Sequence, residues 1–173
     1  MKLINPSYEI LEQSSGLKGI YKAIEIAGRT CYKSLDKITD DSAEGFVSRM
    51  IASQHYAMLE HGTVYLKVPV YNANCVDFPH GELDCVTHSP YSKISYEPAQ
   101  ELEGLIDWTG REISTECMYI TTNYRVLVEN DALCLLEYLC EPTELHEKRV
   151  TVRFTTDRGV SHEFVRHKLL CVA

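Results

Sequence analysis

Between Val70 and Glu116 the chain loses its hydrophobic period. Pro79, Gly81, Pro90, Pro98, Gly104 and Gly110 interrupt every apolar run there. Proline removes a backbone donor and fixes φ, and glycine weakens helix and strand interiors, so no long element can run unbroken across this stretch. A connection of that length is uncommon inside a compact domain. The spacing therefore predicts an irregular insertion or a functional lid at about residues 70–116.

The flanks are more regular. Leu17, Ile20, Tyr21, Ile24 and Ala27 follow three-four spacing and predict an amphipathic helix over Gly16 to Lys33. Ala43, Phe46, Val47, Met50 and Ile51 predict a second helix through Gln54, capped by Thr39 or Asp40. Residues 1–15 read as an edge strand or extended lead-in. Thr63 to Val68 alternates as a strand that Pro69 should end. Cys117 to Thr121 predicts a brief strand, and Thr122 to Leu139 a helix stopped by Glu141-Pro142-Thr143. Lys148 to Thr156 alternates again. Helices and strands mix without βαβ order, so the expected class is α+β, with antiparallel strands. A length of 173 residues suits one domain spanning 1–173.

Charge narrows the partners. The formal net charge of -8 argues against a general nucleic-acid surface, which needs basic charge over a whole face. No apolar run reaches the length of a membrane span. Met1 to Pro6 lacks the apolar core of a secretion signal, so a cytoplasmic, reducing location is expected. Seven scattered cysteines then read as free thiols.

Four groupings carry chemistry. Cys75, His80, Cys85 and His88 have zinc-ligand types, although the first two gaps are long for a zinc knuckle, and loop residues are the plainer reading. His55-Tyr56-Ala57-Met58-Leu59-Glu60-His61, at a helix–strand junction, suits a proton relay, a ligand clasp or a structural corner. Arg125 is a candidate surface cation. After the strand at Arg149 to Phe154, the chain runs Asp157-Arg158-Gly159 through Arg166-His167-Lys168, a basic cluster on an acidic protein and a candidate anion site. Absent are G-x-G-x-x-G, Walker A, G-x-S-x-G and C-x-x-C sequences.

Three of these stretches, taken in order, resemble the flavin-dependent thymidylate synthases, the ThyX family. Arg29-Thr30-Cys31 resembles that family's Arg-Val-Ser-like helix end. His55 through Glu60-His61 resembles its His-x-x-x-x-Glu-His turn, which leads into a strand. Arg166-His167-Lys168-Leu169-Leu170-Cys171 resembles the opening of its Arg-His-Arg-x-x-Ser signature, with Glu163 three positions ahead. The resemblance implies a ThyX-like α+β fold, with the insertion lying where compact members have a short connection. It implies methylation of dUMP to dTMP with methylenetetrahydrofolate and NADPH, FAD as cofactor, and a homotetramer. It places Cys31, His55, Ala57, Arg166, His167 and Lys168 at the flavin, and Glu163 and Arg166 at the nucleotide. Lys168 stands where the family has Arg, and the chain ends five residues later. The expectation is therefore a ThyX-type piece that retains flavin weakly and does not turn over by itself. The alternatives are a non-catalytic homologue that binds nucleotide or flavin, an interaction protein that keeps only the fold, and a zinc module.

Overall fold

The computed structural model describes residues 5–71, 80–97, 100–106 and 112–166. The elements run β1 (Ser7–Leu11), α1 (Gly16–Cys31), α2 (Ser42–Ala52), β2 (Thr63–Tyr71), α3 (His80–Thr87), β3 (Lys93–Tyr96) and β4 (Gln100–Ile106). They continue as β5 (Glu112–Asn123), α4 (Tyr124–Glu129), β6 (Thr151–Thr155) and α5 (Arg158–Arg166). Short 3-10 turns occupy Leu35–Lys37, Tyr56–His61 and Leu133–Tyr138. Helices with two small antiparallel sheets make the class α+β. No helix among the described residues is long and apolar enough to cross a membrane. The chain divides into two compact units, Met1–His61 with Arg149–Ala173, and Gly62–Lys148.

In the first unit, α1 buries Ile20, Ile24 and Ala27, the stripe that its spacing predicts. α1 and α2 approach closely at Gly28. A Cβ built there would lie 2.5 Å from Phe46 Cζ, so only glycine admits this contact. A polar knot lies beside it. Arg29 Nε donates to Glu25 Oε1 at 2.6 Å, and both residues are buried. Ser42 Oγ donates to Glu25 Oε2 at 2.9 Å, and the Arg29 guanidinium sits 5.2 Å from the Phe46 ring centroid. That arrangement also revises the expected cap. α2 starts at Ser42, no side chain caps it, and the Ser42 hydroxyl is spent on Glu25 and the Thr39 backbone.

β1 and β6 pair antiparallel, from Ser7 opposite Thr155 to Leu11 opposite Thr151. Tyr8 lies opposite Phe154 and Ile10 opposite Val152, so alternation puts these four on one face. Tyr8, Ile10 and Phe154 are all more than half exposed. Glu9 and Arg153 form an ion pair on the other face. Beyond β6, Asp157 Oδ1 accepts the Val160 N–H at 3.0 Å and starts α5.

In the second unit, β5 is the spine of a four-stranded sheet. β2 pairs along one side of it, from Thr63 opposite Asn123 to Tyr71 opposite Thr115. β3 and β4 follow one another along its other side, and the β4 register shifts between Glu101 and Ile106. One face buries Val64, Leu66, Val68, Met118 and Ile120. The other carries Tyr65, Lys67, Tyr119 and Thr121.

Three sequence expectations are corrected here. The stretch predicted to be an irregular insertion, about 70–116, contains α3, β3, β4 and the start of β5 among its described residues. Its prolines and glycines punctuate short elements rather than abolish them. β2 does not end at Pro69 but continues to Tyr71. The Tyr65 carbonyl faces the outer edge, where it accepts the Cys140 N–H, and Pro69, four residues on, has its nitrogen on that same side. Its missing donor therefore removes no bond to β5. Finally, Thr122 to Leu139 is not one helix. Thr122 and Asn123 finish β5, and the Asn123 side chain caps α4 by accepting the Val126 N–H. α4 lasts only six residues before Asp131 turns through φ 51°. The apolar period of Val126 to Leu139 is real, but a left-handed residue divides it between α4 and a 3-10 turn.

Candidate functional site

α1 and α2 end in the same way. Ser34 N–H returns to Arg29 O at 2.9 Å around Lys33 (φ 50°), and His55 N–H returns to Met50 O at 2.9 Å around Gln54 (φ 57°). These are Schellman-type closures with a left-handed residue at the turn, a place where glycine is usual. Tyr32 immediately precedes one left-handed residue and His55 immediately follows the other. The two turns bring the side chains together, with Tyr32 Oη and His55 Nδ1 sharing a hydrogen bond at 3.2 Å.

This pair borders an open hollow of about 530 Å³, lined by Tyr32, Arg49, Met50, Ala52, Ser53 and His55. Two flat rings, a thioether and the stem of Arg49 meet there, and the surface they expose is almost wholly apolar. The set suits the apolar face of a planar ring, since rings stack on rings.

The residues singled out in the sequence distribute unevenly around this hollow. His55 is in its wall. Cys31, exposed, is the last residue of α1 and adjoins Tyr32. Ala57, also exposed, lies in the 3-10 turn two residues beyond His55. Glu60 and His61 close that turn. His61 points into the core rather than the hollow, and burial pulls its pKa below the usual histidine value, against an opposing pull from Glu60. Glu163 is exposed on α5 and is not in the hollow's wall. The side chain of Arg166, and His167 and Lys168 entirely, lie outside the described residues.

The zinc-like set is divided as well. Cys75 and the His80 side chain fall outside the described residues. Cys85 is exposed, and His88 Nδ1 pairs with Asp84 Oδ1 at 3.1 Å. Among the described residues no three His, Cys, Asp or Glu side chains gather as metal ligands. Arg125, the candidate surface cation, pairs along α4 with Glu129 at 2.8 Å.

The sequence reading missed a polar cluster in the second unit. His146 is buried, and Tyr65 and Tyr119 meet its ring edge-on at 5.3 and 5.2 Å. Thr143 N–H donates to His146 Nδ1 at 3.0 Å, which makes Nε2 the protonated nitrogen, donating to Leu66 O at 3.1 Å. Burial lowers its pKa, and the Leu66 bond opposes that shift. Cys140 Sγ lies 3.9 Å from Nε2, yet the pair is no thiol–imidazole dyad. That nitrogen carries its proton, and burial pushes the Cys140 thiol up, away from thiolate. Nearby, Tyr119 Oη donates to Glu97 Oε2 at 2.7 Å, and Lys67 Nζ sits 5.3 Å from the Tyr119 ring centroid. The cluster pins residues 139–146 to the sheet. No motif announces it, because its members come from four separate segments.

No protein-family model matches the chain, and neither the curated proteins nor the solved structures contain a match.

Proposed function

We propose that the chain carries part of the flavin and nucleotide site of a ThyX-type thymidylate synthase, the activity that methylates dUMP to dTMP with methylenetetrahydrofolate and NADPH. One observation carries this reading. Tyr32, the residue after Arg29-Thr30-Cys31, and His55, the first residue of the second resembling stretch, come from different elements and share a hydrogen bond at the edge of one hollow.

The lining there is compatible with the ring system of FAD. Tyr32 and His55 offer ring surface and Met50 a polarizable contact. Bound FAD would supply hydride chemistry. The chain's own residues would orient it, with Tyr32 holding the His55 ring and Cys31 and Ala57 lying beside them in sequence. Arg166, His167, Lys168 and Glu163 complete the reading on the strength of the resemblance. The remaining parts of the proposal are a cytoplasmic location and a homo-oligomer, a tetramer by the same resemblance. The exposed face of Tyr8, Ile10 and Phe154 is apolar surface that assembly would bury.

The deciding experiment is titration of the purified chain with FAD and with dUMP, read by flavin absorbance and fluorescence and by thermal shift. Binding of either, weakened by His55→Ala, supports the reading. Failure of both ligands to bind at millimolar concentration overturns it. Loss of thymidine dependence in a thymidylate-deficient strain would extend the reading to full turnover.

That apolar ribbon face also favours a second reading, in which the chain is an interaction protein that keeps only the fold. It predicts that changing Tyr8 and Phe154 to Ser abolishes association with a partner or copy while ligand titrations stay flat.

A further inference from the structure

We infer that residues 139–146 form an acid-released strap on the second unit's sheet, with His146 as its catch. While the imidazole is neutral the strap stays closed. Protonation of His146 frees it and opens the outer edge of β2.

The segment belongs to no helix or strand, and little holds it down. Among the described residues from 136 onward, His146 is the only one buried. The other ties are few. Leu139 bridges to Leu66, the Cys140 N–H donates to Tyr65 O at 3.0 Å, and Ser95 Oγ donates to Leu145 O. Segments with few buried apolar contacts open before the rest of a fold does. The one buried ring therefore decides how firmly this segment is held.

Both nitrogens of that ring are committed to its neutral form. Nδ1 accepts the Thr143 N–H, and Nε2 donates to Leu66 O. A proton added at Nδ1 would face the Thr143 N–H, donor against donor. Thr143 Oγ1, 3.1 Å away, can take the new bond, but the backbone N–H then loses its acceptor. The surroundings give the charge no support. Tyr65 of β2 and Tyr119 of β5 pack on the ring, and Cys140 of the strap lies at Nε2. Beyond Tyr119 stand Lys67 of β2, a second cation, and Glu97, whose carboxylate takes the Tyr119 hydroxyl. Glu141, Glu144 and Glu147 of the adjoining chain are exposed. No carboxylate among the described residues pairs with His146, and burial lowers its affinity for the proton. The imidazolium is therefore favoured in water, where only the open strap places it.

The test is amide hydrogen exchange, read by NMR on the intact chain at about pH 7.5 and 5.5, with each rate divided by that of an unfolded chain at the same pH. The amides followed are Cys140 and Thr143 in the strap, and Val68 and Met118, which lie opposite each other in the β2–β5 ladder. With the ordinary histidine value of 6.5 in the open strap, protection of Cys140 and Thr143 should fall about five- to tenfold at the lower pH. Val68 and Met118 should keep theirs. In His146→Gln the strap amides should be equally protected at both pH values, whether that protection is high or low. Imidazole nitrogen shifts of the wild type should report an Nε2–H tautomer at the higher pH, lost over the same range as the protection. The inference fails if the wild-type strap stays protected at the lower pH or if the sheet amides lose the same factor. It also fails if His146→Gln keeps the wild-type pH dependence or if the tautomer is Nδ1–H.

Discussion

Glu25→Gln should be among the most damaging single-atom changes available in the first unit. It swaps one oxygen for an amide nitrogen and preserves shape. The Ser42 hydroxyl can still donate to the remaining oxygen, so the bond to α2 survives. What disappears is the charge facing Arg29, whose side chain is 9 % exposed against 1 % for Glu25. At that burial, water cannot replace the carboxylate. The Phe46 ring at 5.2 Å offers about 0.5–2 kcal/mol of cation–π attraction, far short of compensation. Removing one partner of a buried pair costs about 3–5 kcal/mol. With a urea slope of about 2 kcal/mol/M, the unfolding midpoint should fall by about 2 M. The double variant Glu25→Leu with Arg29→Met removes both charges and should recover most of that loss, since apolar replacement of a whole buried pair is often neutral. A Glu25→Gln midpoint within 0.5 M of wild type (about 1 kcal/mol) would refute the claim that the pair is desolvated. So would a double variant as unstable as the sum of the two single ones. Because Arg29 O closes the turn that presents Tyr32, flavin or dUMP binding should weaken together with stability.

Gly28→Ala should destabilise by about 1–3 kcal/mol in the same denaturation assay, because its Cβ would meet the Phe46 ring at 2.5 Å, and Phe46→Leu should partly relieve it. Lys33→Gly and Gln54→Gly should each stabilise by about 0.5–1 kcal/mol, since both residues hold left-handed backbone that glycine adopts without a Cβ clash. For His146, the folded-state pKa lies below the ordinary 6.5, so the unfolded chain takes up the proton first. Its contribution to stability is complete above 6.5 and declines as pH falls from 6.5 towards the lowered folded value. Thermal melts between pH 7 and 5 should fall less steeply for His146→Gln than for wild type. An equal slope would show that the imidazole is not held neutral between Thr143 and Leu66.

Sequence patterning reached the helices of the first unit because their information is local. Ile20, Ile24 and Ala27 are spaced for one face, and that face is buried. It reached less of the second unit because pairing there is remote. β5 draws its neighbours from Thr63 and beyond on one side and from Lys93 and beyond on the other, and no local period reports that. Asp131 shows a further limit. An apolar period consistent with one long helix is divided by a single left-handed residue, and the Asn130-Asp131 dipeptide was the available signal. Of the hollow, His55 was legible as part of a spaced motif. Tyr32 and Arg49 were not, because their significance lies in where two helix ends meet. His146 was hidden for the same reason: its partners Leu66 and Tyr119 are far away in sequence.

The closure of α1 and α2 with Lys33 and Gln54 bears on whether the hollow is a site or an accident of packing. Each left-handed residue costs about 1 kcal/mol more than glycine would, and glycine is a single substitution away in stability terms. A purely structural pair of helix ends gains nothing from that strain. Strain of this kind gathers where a backbone must hold neighbouring side chains in one geometry. Here the neighbours are Tyr32 and His55, joined at 3.2 Å. Site and accident predict different outcomes for the double variant Lys33→Gly with Gln54→Gly. If the turns serve only the fold, the variant gains stability and ligand binding is unchanged. If they hold the Tyr32–His55 pair in place, the variant gains stability and loses affinity, because a more permissive turn no longer dictates the orientation of either ring.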